Sequence, residues 1–412
     1  KLLLKLKEKE NLQNLKQNPS FKKYKIQTIQ PAFPSLPEME NVYQLSFKNT
    51  QETQELLTEI AALPYIEYVE QIPIYQTFYT PNDLHASQWA ISKIQAEAAW
   101  DFVQGSEDIV VAIVDDAVEL THEDLAANVW RNEGEIANNG VDDDENGYVD
   151  DVEGYDVADG DNNPNPPSNA DANHFSHGTH CAGIVSARTE NNKGIAAIGG
   201  NVKLMVVKTK ESATIGSSLQ AGMEGVEYAI AAGADVISMS WGGPAYSQTL
   251  QDLMTLAHQK GITLVAAAGN SSTDAPMYPA SYEHVISVGA TNQEDEKAFF
   301  SNYGTAIDVM APGFEIWSTV AGNGYDFKNG TSMACPLVAG LAALMLSYDA
   351  NISPDDIEEC LKNTCENIDA QNGSFLGEIG AGRIHAFEAL KCLRVPPTAY
   401  FEANLEMACV GE

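Results

Sequence analysis

Asn329-Gly330-Thr331-Ser332-Met333-Ala334-Cys335-Pro336 runs directly into Leu337-Val338-Ala339-Gly340-Leu341-Ala342-Ala343-Leu344-Met345. The first stretch is polar and carries a glycine. The second is small and apolar over a length that suits a buried helix. Ser332 therefore sits where a loop becomes a helix. Two readings fit that position. Thr331 or Ser332 caps the helix, as serines before apolar runs often do. Alternatively Ser332 is a nucleophile, its hydroxyl exposed and the free amides of the first turn facing a developing negative charge. The sequence upstream decides between them.

The chain has 412 residues and a formal net charge of −35. That length predicts two to three domains with a large core. The charge argues against nucleic acid as a partner and fits a secreted or cell-surface protein that binds cations. No apolar run reaches the roughly 20 residues of a membrane span. Leu2-Leu3-Leu4 is too short for a signal segment, so any export signal is expected to lie outside this stretch of chain. The six cysteines make neither a CxxC pair nor a zinc pattern.

Residues 1–80 differ from the rest by their dense lysines, among them Lys5, Lys7, Lys16, Lys22, Lys23 and Lys25. Strands are expected over residues 2–6, 42–47 and 66–70, with an amphipathic helix over 53–63. That is a small α+β unit, its nine lysines matched by nine glutamates, so it is neutral while the rest of the chain is strongly acidic. Residues 79–83 read as a linker into a second domain over 81–395.

In that domain Ile109-Val110-Val111-Ala112-Ile113-Val114 is fully apolar and ends in Asp115. Such runs are buried parallel strands, with ligand sites at their C-terminal ends. Asp115 reads as a helix cap or as a functional carboxylate, the second being commoner at a buried strand end. His174, His177 and His180 open another apolar helix. With no matching cluster elsewhere they do not make a zinc pattern, and a histidine beside a carboxylate is the usual base for a serine. Residues 234–240 form a strand that runs into Trp241-Gly242-Gly243. Residues 261–268 form another, ending in Gly269-Asn270. There Asn270 either makes a turn or donates to an oxyanion. Residues 218–232 read as a helix. The alternation predicts an α/β fold, a central parallel sheet with helices on both faces.

These residues resemble a subtilisin-like serine protease (subtilase) over residues 88–393. Four motifs match in order: Val114-Asp115, His177-Gly178-Thr179-His180, Ala268-Gly269-Asn270 and Gly330-Thr331-Ser332-Met333-Ala334. The order Asp, His, Ser is that of subtilisin. The resemblance implies a serine endopeptidase in which Ser332 attacks, His177 carries the proton and Asp115 orients the imidazole. The Asn270 amide and the Ser332 N–H would hold the oxyanion. Ser240-Trp241-Gly242 and Ile215-Gly216-Ser217 would flank the cleft as strands and bind extended peptide or protein substrates. Ala267, Ala268 and Gly269 would line the pocket for the residue before the cut. Residues 1–80 would be a propeptide, an intramolecular inhibitor cut away between Gln71 and Asp83. Asp116 beside Asp115 is reminiscent of the kexin-like branch, where an acidic residue receives basic side chains, although no matching P domain follows. Cys181 and Cys335 are expected as buried, neighbouring, inert thiols. A Cys360–Cys392 bridge is one pairing left open. Residues 396–412 resemble the start of a PKD-like β-sandwich, with Cys409 unpaired.

The last motif is Asp142-Asp143-Asp144-Glu145-Asn146-Gly147-Tyr148-Val149-Asp150-Asp151-Val152-Glu153, which fits the pattern of a calcium loop. The reading is Ca²⁺ held by Asp142, Asp144, Asn146, Asp150 and Glu153 with the Tyr148 carbonyl, and Gly147 at the sharp turn. The competing reading of the whole is a catalytically silent calcium-binding adhesin or scaffold on the same fold.

Overall fold

The computed structural model describes residues 2–8, 11–47, 53–72, 79–168 and 174–393. The expected sandwich at 396–412 and Cys409 lie outside the described residues. The chain divides into two compact units, Lys1–Thr77 and Phe78–Glu412.

In the first unit, β1 (Leu2–Leu6), α1 (Leu12–Gln17), α2 (Ser20–Lys23), β2 (Ile26–Pro31), β3 (Val42–Phe47), α3 (Thr53–Ala61) and β4 (Ile66–Gln71) follow one another. The strands form an antiparallel sheet in the order β2-β3-β1-β4. Alternation puts Leu2, Leu4 and Leu6 on one face, where they meet Leu45 and Tyr43 of β3 and Leu56 and Ile60 of α3 in a single core. The edge strand β2 was not foreseen. Its side chains are all half-buried or exposed and it ends in Pro31, so it lacks the alternating signal.

The second unit opens with α4 (Trp89–Lys93) and α5 (Ala96–Trp100), then β5 (Val110–Asp115), β6 (Tyr155–Asp156), α6 (His177–Ser186) and β7 (Lys203–Lys208). Next come α7 (Gly222–Ala231), β8 (Val236–Met239), α8 (Gln248–Gln259), β9 (Thr263–Ala267), β10 (Val285–Thr291) and β11 (Val309–Pro312). The hairpin β12 (Ile316–Val320) and β13 (Gly324–Lys328) leads into α9 (Thr331–Tyr348), α10 (Pro354–Asn363) and α11 (Ala386–Cys392). Seven strands pair in the order β11-β10-β9-β8-β5-β7-β6, all parallel. Period two sends β5, β7 and β9 to both sides. Val111, Ile113, Leu204, Val206 and Val265 join the core under α6 and α9, whereas Ala112, Val114, Met205, Val207 and Leu264 face α7 and α8. That is the expected α/β architecture.

The 18-residue helix α9 is apolar enough to cross a membrane by length and composition, yet 83% of it is buried inside the protein. It packs on β8, β9, β10 and α6. Each fully buried Leu there stabilises the fold by about 1.5–3 kcal/mol.

Helix α7 starts at Gly222 rather than at residue 218, and the N–H groups of Gln220 and Ala221 just before it donate to the Thr209 carbonyl. Residues 79–83 are no free linker. The Tyr79 N–H donates to Asp101 (2.7 Å) and Asp83 accepts from the Asn191 N–H (2.9 Å). Cys360 and Cys392 form a disulfide joining α10 to α11.

Candidate active site

The strand order reverses direction at β5, with β7 on one side and β8 on the other. In open parallel sheets the crevice lies beyond the carboxyl ends at such a point. A cleft of about 680 Å³ opens there, lined by Asp115, Asp116, His174, His177, Gly216, Ser217, Leu219, Ser240, Trp241, Gly242, Ala267, Gly269, Asn270, Met277, Lys328, Asn329, Thr331 and Ser332. Asp115 closes β5, His177 opens α6, Asn270 follows β9, and Ser332 lies in the first turn of α9.

His177 Nδ1 lies 2.8 Å from Asp115 Oδ1. Burial alone would depress this imidazole, but the Asp115 charge outweighs it and holds the group well above its ordinary value. The Ser332 hydroxyl donates to the Ser240 carbonyl (3.0 Å). Pro336 has no N–H, so it cannot take the carbonyl of Ser332 four residues back. That carbonyl instead accepts from the Ser240 hydroxyl (2.9 Å) and the Cys181 thiol (3.4 Å), which ties α9 to β8 and α6.

Asn270 Oδ1 accepts from the Thr331 N–H (2.8 Å) and hydroxyl (3.0 Å), which turns its Nδ2 toward the cleft. A Cβ on Gly330 would stand 3.4 Å from Asn270 Nδ2 and 3.5 Å from the Ser332 nitrogen. The two donors therefore face one small region, and Gly330 (φ +155°) leaves it open.

The other expected residues divide. Gly216, Ser217, Ser240, Trp241, Gly242, Ala267 and Gly269 line the cleft. Ala268 does not: it packs with Ile307, Met310, Ile368 and Ile379. Neither Ser240-Trp241-Gly242 nor Ile215-Gly216-Ser217 is a strand, since β8 ends at Met239 and residues 209–221 are irregular. A strand needs a partner ladder, and an extended peptide would be that partner.

Two residues of the site were not foreseen as they stand. Asp116 is buried and accepts from the N–H groups of Ala117 (2.7 Å), Gly178 (2.8 Å) and His177 (3.2 Å). It thus caps α6 and is not free to receive a substrate's basic side chain, contrary to the kexin-like comparison. Burial, then the Asp115 charge, raise it to about 6. The buried Lys210 donates to the carbonyls of His174 and Gly216, and burial lowers it. No sequence signal marks a buried lysine of this kind. His180 is likewise buried, lowered to about 3 by burial and then by Lys328, and is placed to donate to the Ile316 carbonyl (3.0 Å). Cys181 and Cys335 are buried free thiols, as expected.

Residues 106–382 match the profile described as the subtilase family. The chain belongs to the subtilases. It is 38% identical over 315 residues to thermitase of Thermoactinomyces vulgaris, covering 76% of this chain and 100% of that protein. It is 36% identical over 319 residues to a thermophilic serine proteinase of a Bacillus strain, covering 77% of this chain and 71% of that protein. Among solved structures, proteases from Pseudoalteromonas arctica align with a TM-score of 0.63 at 29% identity, over 76% of this chain and 99% of that one. This subtilase is accordingly a serine endopeptidase.

The acidic loop of the subtilase departs from the expected register. Glu135, Asp144 and Asp151 bring carboxylate oxygens within 4.8 Å of one another. The amides of Asn132 and Asn146 lie between Asp144 and Asp151. Asp151 is wholly buried and accepts only from neutral groups, including the Tyr228 hydroxyl (2.8 Å). Asp142 accepts from the N–H groups of Asn146 and Gly147, and Asp150 from those of Asn139 and Gly140, just as Glu135 accepts from those of Asp143, Asp144 and Asp150. Glu153 is an exposed partner of Arg131 (2.7 Å). The Tyr148 ring packs on Tyr155 and Tyr228. The reason is backbone: Glu145 (φ +59°), Gly147 (φ +99°) and Asp150 (φ +58°) are left-handed, so inward and outward positions no longer follow simple counting. Three converging carboxylates with amide groups are a hard-oxygen set, and it fits a hard divalent cation.

Proposed function

We propose that this serine endopeptidase works through Asp115, His177 and Ser332, with Asn270 and the Ser332 N–H as oxyanion donors. The observation that carries the reading is the 2.8 Å contact between Asp115 and His177 at a strand end, in the same cleft as Ser332. Ser332 attacks the scissile carbonyl, and His177 takes its proton and delivers it to the leaving amine. Asp115 fixes the tautomer that leaves the other ring nitrogen facing the serine. Extended peptide adds along 240–242 and 215–217, with Ala267 and Gly269 beneath the side chain before the cut. The first unit is the propeptide of a self-processing zymogen. The disulfide and the net charge of −35 support export to an oxidising exterior. Calcium is the cation that suits the oxygens of Glu135, Asp144 and Asp151, where it would relieve the repulsion of three carboxylates.

A fluorophosphonate probe tests the nucleophile. It should label the protein at Ser332 and leave Ser332→Ala unlabelled. That variant should lose about 10⁶ in kcat, as subtilisin does without its serine, and should keep residues 1–77 attached. Labelling of Ser332→Ala at the parent's rate would place the nucleophile elsewhere, whereas an unlabelled parent would revive the silent-scaffold reading.

A further inference from the structure

Away from the cleft, three elements meet at a second group of donors. His258 lies in the last turn of α8, His284 in the turn before β10, and Asp355 in the first turn of α10. None of the three lines the cleft. The rings of His258 and His284 stack with centroids 4.0 Å apart and planes 17° apart. His258 Nε2 is 2.9 Å from Asp355 Oδ1. One ligand atom from each residue lies within 4.8 Å of the other two. Among the described residues it is the one such group that combines two imidazoles with a carboxylate.

As a plain ion pair this arrangement has little worth. Asp355's side chain is 75% exposed, and exposed pairs contribute about 0–1 kcal/mol. The two imidazoles offer ring nitrogens beside a carboxylate. Two imidazoles and one carboxylate are a borderline-soft set suited to zinc, and bonds of about 2.0–2.2 Å give ligand atoms separations of about 3.3–3.5 Å in a tetrahedron. From the observed arrangement, with ligand atoms within 4.8 Å of one another, one imidazole would rotate out of the stack to turn its nitrogen toward the shared centre. His284 and Asp355 each open onto a surface cleft, and both clefts are lined by Glu358, one helical turn beyond Asp355. Positions for water ligands are therefore open, and a second carboxylate stands beside them.

We propose that His258, His284 and Asp355 form a surface Zn²⁺ site, with water completing the shell. The ion would clamp the end of α8, the turn before β10 and the start of α10, segments up to 97 residues apart in the chain. This site stands independently of the proposed catalytic residues.

The test uses the full chain as Ser332→Ala, saturated with Ca²⁺, in equilibrium dialysis against Zn²⁺ alone. The parent should hold one more Zn²⁺ per chain than His284→Asn. Asparagine tolerates the left-handed backbone at that position (φ +69°), so the variant keeps its fold, which a circular-dichroism melt without zinc verifies. Asp355→Asn should weaken the same binding at least tenfold, whereas Cys181→Ala, which alters the donors beside His177, should not change it. Zinc anomalous scattering should fall between the three side chains. Equal zinc in the parent and both variants, or scattering only at the cleft or the acidic loop, overturns the proposal.

Discussion

At the cleft, each buried carboxylate has its own answer: Asp115 faces His177, and Asp116 faces three backbone N–H groups. In the acidic loop, Glu135, Asp144 and Asp151 face one another across neutral amides. The first region is complete as a protein. The second draws three carboxylates together, with Glu135 also accepting from the N–H groups of Asp143 (2.7 Å), Asp144 (3.3 Å) and Asp150 (3.0 Å), and that shared charge is what a cation from solution would relieve. The same residue types would thus serve chemistry in one place, under the proposed mechanism, and ion-dependent stability in the other, under the proposed cation site, and the partners make the difference.

The sharpest break of that comparison is Asp115→Asn. If Asp115 works by orienting and charging His177, kcat should fall about 10⁴-fold, the effect of this change in other Ser-His-Asp enzymes. The pH profile gives the sign. Catalysis needs neutral His177, whose value Asp115 holds above the ordinary one, so kcat/KM should fall as pH drops through that raised value. Removing the charge should move this limb to lower pH. A limb that stays in place would mean that another group sets it.

Asn270→Ala should lower kcat by about 10²–10³ with KM nearly unchanged, because the oxyanion exists only near the transition state. A loss confined to KM would make the amide a ground-state contact instead.

For the loop, the effect is on stability. With Ca²⁺ at about 100 times its dissociation constant, one site stabilises the fold by roughly 2.7 kcal/mol. Melting of Ser332→Ala with and without chelator should show this gain, and Asp151→Asn should abolish it. Glu153→Gln should keep it, since Glu153 pairs with Arg131 instead. The reverse ranking of those two variants would restore the register counted from the sequence.

That ranking also marks what the sequence could convey. Asp115, His177, Asn270 and Ser332 were legible because each terminates or opens an apolar run, and apolar runs fix where strands and helices end. Val42–Phe47 was legible by alternation for the same reason. The grouping of Glu135 with Asp144 and Asp151 was not, because left-handed residues at 145, 147 and 150 reset which side chains share a face. Ala268 was misplaced by a similar step: past the end of β9 the pleat no longer dictates direction, and its methyl enters a separate small core. Asp116 reads as a substrate contact until the N–H groups of residues 177 and 178, some sixty positions away, are seen to occupy it.

Pro336 bears on attempts to move this chemistry elsewhere. The socket it leaves at the Ser332 carbonyl is filled by Ser240 and Cys181, 92 and 151 residues away in the chain. A designer who grafts the helix and its serine onto a new scaffold transfers an empty socket. The transplant must carry two distant plugs as well, so the smallest portable unit of this proposed nucleophile is three segments and not one.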